Sequence, residues 1–259
     1  MSEDAPLLLL SARPAEGEPV IEGRVILAIG GRPLEIEVEA PAGPTTLEAV
    51  MPVFRGLTNL LVARGEARVA AQGKTVSCRK GCGACCSQAV QISEPEARSI
   101  ATLVEALPEP RRSLVRDRFA AAEQRLEAEG LIDRIAAFPA ADKDENVRFA
   151  LDYFRMGMAC PFLEEGSCSI HPVRPLNCRE YLVTSPAEAC ARLNAEEVRT
   201  VPLEGSVCNS VIGLGKDATP YGWVLLVQAL SFAREHPEPA PTRPGPAWIE
   251  AGFKRLSGK

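Results

Sequence analysis

Four cysteines fall within nine residues, Cys78, Cys82, Cys85 and Cys86. A lone cysteine usually packs as a small hydrophobe, but four this close together make a poor packing unit. The spacing does suit a metal. Soft donors must converge to about 2.3 Å from the ion, and a tight loop supplies several of them at little closure entropy. Gly81 and Gly83 fit such a loop, because glycine tolerates positive φ and lets a backbone amide approach a sulfur. Consecutive side chains point in different directions, so Cys85 and Cys86 seldom both reach one mononuclear centre. One of the two is then free to serve a second site or to act as a reserve thiol.

Further donors wait in a second section, Cys160, Cys168 and Cys178, with Cys190 following. A centre shared by the two sections would staple distant stretches together and tie folding to metal supply. Four thiolates around Zn²⁺ or a [4Fe-4S]²⁺ core leave roughly two net negative charges. Arg79, Lys80, Arg174 and Arg179 stand near the cysteines to offset them. His171, three residues after Cys168, serves equally well as a ligand or as a positioning group beside Pro172. Met156 and Met158 offer soft donors for Cu⁺, yet at the end of an apolar helix they read as core. Isolated Cys208 reads as buried packing, and His236, among prolines, as a surface residue.

Other uses of the thiols fit less well. The N-terminus, Met1-Ser2-Glu3-Asp4, is acidic, and the apolar run 7–10 is too short for an export signal core. The expected compartment is therefore the reducing cytoplasm, where disulfide frameworks are rare and clustered thiols mean metal or redox chemistry. A thioredoxin-like dithiol at Cys82 and Cys85 lacks the surrounding βαβ pattern. The net charge is −5, and the Arg-rich stretch 111–118 runs into Glu123, Glu127 and Glu129, a solvated helix face and not a nucleic-acid stripe. The most hydrophobic stretch, 221–233, falls short of the roughly 20 residues that cross a bilayer and reads as a buried helix.

The apolar content of 46% is enough for an ordinary core. Residues 20–40 predict a β-hairpin around Gly30-Gly31, with Leu34, Ile36 and Val38 inward and Glu35, Glu37 and Glu39 wet. Thr45 with Glu48 predicts a capped helix carrying Leu47, Val50, Met51, Phe54, Leu57 and Leu61, with a kink at Pro52. Ser93-Glu94-Pro95-Glu96 is a second capping box. It opens a helix that pairs with another ending near Gly130, and a third spans 145–156. The expected class is α+β, mainly helical: an N-terminal hairpin-and-helix unit (17–75), a helical cysteine-cluster domain with irregular metal-binding loops (76–235), and a Pro-rich tail (236–259) with a short final helix.

At these residues the sequence resembles the YkgJ-like cysteine-cluster family of zinc- or iron-chelating CxxCxxCC proteins. The resemblance runs over about residues 78–195. It rests on Gly81-Cys82-Gly83-Ala84-Cys85-Cys86, Cys160-Pro161-Phe162-Leu163 with Gly166 and Cys168, Arg174-Pro175 with Cys178-Arg179, and Cys190-Ala191-Arg192. It implies Cys78, Cys82, Cys85, Cys86, Cys160, Cys168, Cys178 and Cys190 as ligands of zinc or an iron-sulfur cluster. Two departures stand out: C-x3-C where the family often has C-x2-C, and His171 where it often has Tyr. Flagellin lysine methylases carry a similar cluster, so an iron-sulfur enzyme acting in protein-lysine methylation, an electron carrier and a thiol redox sensor are the alternatives to a metal-holding protein. The sequence names no protein partner.

Overall fold

The computed structural model describes residues 8–13, 17–137, 143–192, 196–214, 222–238 and 240–258. Met1–Asp4 and Tyr221, on which two sequence expectations touch, lie outside them. Strand β1 (Leu8–Ser11) pairs in parallel with β3 (Arg32–Pro41), which pairs antiparallel with β2 (Val20–Ile29). Gly30 and Gly31 both have positive φ, the twist a two-residue hairpin turn requires. Leu27, Ile29, Ile36 and Val38 face the core, while Glu35 and Glu37 meet Arg24 outside. Glu39 breaks the expected alternation. It is buried, accepting from Ser11 Oγ and the Arg13 guanidinium, because β1 covers that end of the sheet.

Strand β4 (Pro44–Thr46) leads into helix α1 (Leu47–Ala70), which runs on through Pro52. Thr46, not Thr45, caps it, accepting from Ala49 N; Thr45 is held in β4 opposite Arg243. After the first cysteine loop come β5 (Gln91–Ser93), α2 (Glu94–Glu105), α3 (Arg111–Ala128), α4 (Leu131–Ala136) and α5 (Lys143–Arg155). Helices α2 and α3 touch, as expected of a pair, but α2 packs chiefly on a later helix, Ala229–Glu235. The second cysteine section holds β6 (Leu163–Glu164), β7 (Ser167–Cys168), α6 (Leu176–Glu180) and α7 (Ala187–Arg192), followed by α8 (Val207–Ile212).

The stretch expected as one buried helix is instead strand β8 (Trp223–Leu225), a 3₁₀ turn (Leu226–Gln228) and α9 (Ala229–Glu235). β8 pairs with β5. A run that is apolar on every side carries no period from which to tell strand from helix. Strand β9 (Thr242–Pro244) pairs with β4, and helix α10 (Gly245–Leu256) closes the chain. The class is α+β and mainly helical, as the sequence implies.

Among the described residues four apolar cores surround the cysteine sections, the smallest being Val69, Leu182 and Val201 with Cys78 packed on it. The first joins the sheet and α1 to Leu176, Val207, Cys208 and Val211, and to Trp248 and Phe253 of α10. The second packs α2, Phe119, Phe162 and Ile170 against α9. The third gathers Leu126, Phe149, Tyr153 and Met158 around β8. Met158 is thus core, with Met156 packed on it, and Cys208 is a buried packing residue.

Candidate metal centre

The first cysteine loop is a chain of tight turns: Cys82 N donates to Arg79 O, Cys86 N to Gly83 O and Gln88 N to Cys85 O. Gly81 adopts φ +92 within it, a conformation other residues reach only with strain. Gly83 is needed for space, not for φ. A Cβ there would lie 2.5 Å from Leu163 Cδ1 and 2.7 Å from Gly166 O. Gly166 sits in the β6–β7 hairpin, whose turn residues Glu165 and Gly166 both have positive φ. The hairpin carrying Cys168 therefore presses directly onto the first loop. Cys160 N seals the contact by donating to Cys86 O at 2.7 Å.

Cys178 arrives on α6, a short helix anchored from several sides. Its first amide, Leu176 N, donates to Glu96 Oε1 at 2.7 Å. The other Glu96 oxygen accepts from Ser93 N and Oγ, closing the capping box of α2. Asn177 Nδ2 donates to Gln91 O. Glu180 accepts from Ser206 Oγ and Cys208 N, and Leu176 is fully buried in the first core. A helix of five residues has little stability of its own, so these anchors fix where Cys178 points.

Six of the predicted cysteines, Cys82, Cys85, Cys86, Cys160, Cys168 and Cys178, line one cavity of about 100 Å³. His171, Arg174, Asn177 and Tyr181 share its wall. Cys78 and Cys190 do not line it. Cys78 accepts from Val183 N at 3.3 Å, and Cys190 is buried beside Tyr181. Both are close enough to Cys82 and Cys85 to feel their charge. Tyr181 and Asn177 carry no metal-binding signal by type, and the sequence marks them only by their nearness to Cys178.

Burial is the main influence on the acidity of Cys160 and Cys178. It pushes Cys160 up to about 12 and Cys178 well above the usual thiol value, and neighbouring thiols add to both. Cys85 is raised first by its hydrogen bond with Cys86 and then by burial. Burial also raises Cys168, Cys78 and Cys190. Among the described residues no three Cys, His, Asp or Glu side chains stand in a preformed ligand triangle. The sulfurs surround a cavity; they do not converge on a point. The surroundings nevertheless suit thiolates. Backbone amides aim at Cys78, Cys160 and Cys168, and the buried Arg174 Nε has no hydrogen-bond partner among the described residues. Donors waiting beside soft ligands fit an anionic metal–thiolate centre.

Fold and site together define a cysteine-lined, metal-binding type of domain set into an α+β frame. Residues 77–202 match the model of the CxxCxxCC family, described as "Putative zinc- or iron-chelating domain", and the YkgJ-like label fits that family. No curated protein and no solved structure matches the chain. Among the described residues no helix is long and apolar enough to cross a membrane.

Proposed function

We propose that the chain holds a zinc ion or an iron-sulfur cluster through thiolates of the cavity, as a bound structural or stored centre and not as a site of turnover. One observation carries the reading: two sequence sections, 78–86 and 160–178, contribute six sulfurs to a single cavity and are tied by the bond from Cys160 N to Cys86 O. Cys85, Cys160, Cys168 and Cys178 influence one another electrostatically and form the innermost donor set. Cys82 and Cys86 complete the wall, and Cys78 and Cys190 stand behind it. When bound, such a centre offsets part of the thiolate charge and cross-links the two sections.

Metal analysis of protein purified without air tests the reading. At least one equivalent of zinc or iron is expected, brown if iron-sulfur and colourless if zinc. Fully folded protein with no metal and nine reactive thiols would refute it.

A further inference from the structure

Three guanidinium groups, Arg55, Arg174 and Arg179, crowd together behind the thiol cavity. Among the described residues none of them, nor nearby Lys80, has a carboxylate within ion-pair distance. The contrast is with Arg13, Arg64, Arg68, Arg111, Arg116 and Arg134, each of which has one. The crowding is mutual, since Arg174 and Arg55 both disfavour the charged form of Arg179 after burial does. Arg179 spends its donors on Arg174 O, Pro172 O and Asn59 Oδ1. Arg55 makes no hydrogen bond among the described residues, and Arg174 Nε is buried without a partner. Arg174 stands against the thiols and Arg179 against Glu96 and Cys178, whereas the half-buried Arg55 has no such partner among the described residues and is placed to meet an anion from outside the chain.

There is room for one. A second cavity of about 190 Å³ lies between α1 and α2, walled by Met51, Arg55, Ser99, Leu103 and Arg174. One water needs roughly 10–15 Å³ of such volume. Glu96 also lines it, but both its oxygens are already engaged by Ser93 and Leu176. Arg174 and Pro175 form a wall common to this cavity and the thiol cavity, whereas Arg55 lines this one alone.

We propose that the cavity between α1 and α2 binds a small oxyanion, the carboxylate or phosphate group of a small-molecule ligand, through Arg55 and Arg174. Guanidinium forks match the planar geometry of such oxygens, and the apolar Met51 and Leu103 accommodate a short carbon body. Because Arg174 faces both cavities, the anion sits against the wall of the thiol centre. The proposal does not require the metal reading, since Arg55 does not line the thiol cavity.

The test is calorimetric titration of the full chain, as purified without air, with inorganic phosphate and separately with succinate at low ionic strength; metal content is measured on the same samples. Saturable one-to-one binding of at least one probe is expected, and which probe binds tells a phosphate site from a carboxylate site. Arg55→Gln should weaken it about tenfold or more with metal content unchanged, and Arg24→Gln, on the exposed sheet face, should do nothing. If Arg55→Gln does not fold, Arg55→Lys, which keeps the charge but loses the fork, should still weaken binding. The proposal falls if neither probe saturates or if affinity survives both Arg55 changes. It falls equally if metal is lost in step with the anion, because the arginines would then serve only the thiolate charge.

Discussion

A methyl group added at Gly83 would meet Leu163 Cδ1 at 2.5 Å and Gly166 O at 2.7 Å. The leucine tip can turn aside, but the carbonyl belongs to the hairpin that carries Cys168. Gly83→Ala should therefore push the two cysteine sections apart and lower metal content, whereas Gly43→Ala, whose added carbon meets nothing within 4 Å, should leave it intact. Equal metal content in the two variants would show that the contact is not what sets the cavity. The cysteines divide in the same way. Serine at Cys85, Cys160 or Cys178 should cost metal, while Cys208→Ser should keep it and instead destabilise by about 1–3 kcal/mol, through a hydroxyl placed in an apolar core. Denaturant unfolding beside metal analysis separates the two effects. At this scale the meeting of the two cysteine sections was legible from type and spacing, and six of the eight cysteines do share one cavity wall. Arg174 and Tyr181 were harder to place, because arginine and tyrosine occur everywhere and only the fold shows what they face.

Elements reach the site through a few buried polar links, and Glu96 is the most heavily used. It caps α2 through Ser93 and receives the first amide of α6, so one side chain fixes the helix that begins after the first cysteine loop and the helix that bears Cys178. Glu96→Ala would leave Ser93 N and Leu176 N without acceptors, at about 1–3 kcal/mol for each buried donor. Glu96→Gln keeps acceptor capacity and should cost clearly less. The expected result is a large drop in unfolding free energy for alanine together with loss of metal, and a mild one for glutamine. Identical behaviour of the two variants would mean that the carboxylate's charge, not its hydrogen bonds, is what matters. The capping box itself could be read from Ser93 and Glu96, since it is a local pattern. Its second partner could not, because Leu176 lies 80 positions away. The same limit explains β1, β8 and β9, whose strands exist only through distant partners.

Across the whole molecule, stability comes from two sources that metal removal should separate. The sheet and α1 bury Leu27, Ile36, Phe54 and Leu57, side chains worth about 1.5–3 kcal/mol each. We expect this part to survive chelation. It does not stand alone, however, because Trp248 and Phe253 of α10 complete the same core, and Trp248 Nε1 donates to Thr45 O. The tail helix should thus behave with the N-terminal unit although nearly the whole chain lies between them. The cysteine sections are different: residues 160–178 hold short strands, a 3₁₀ turn and the start of a five-residue helix, and although Phe162, Ile170 and Leu176 anchor them in the cores, the turns between those anchors gain their order from ligation. After metal is stripped, hydrogen exchange should rise sharply around Cys82 and Cys168 and change little across Val25–Val38 and Trp248–Phe253. The first core also includes Leu176 and Val207, so the boundary between protected and exposed segments should fall near α6, where the chain passes from cavity wall to core. Rising exchange in α10 together with the cysteine loops would overturn this division, since it would make the molecule one cooperative unit held throughout by its metal.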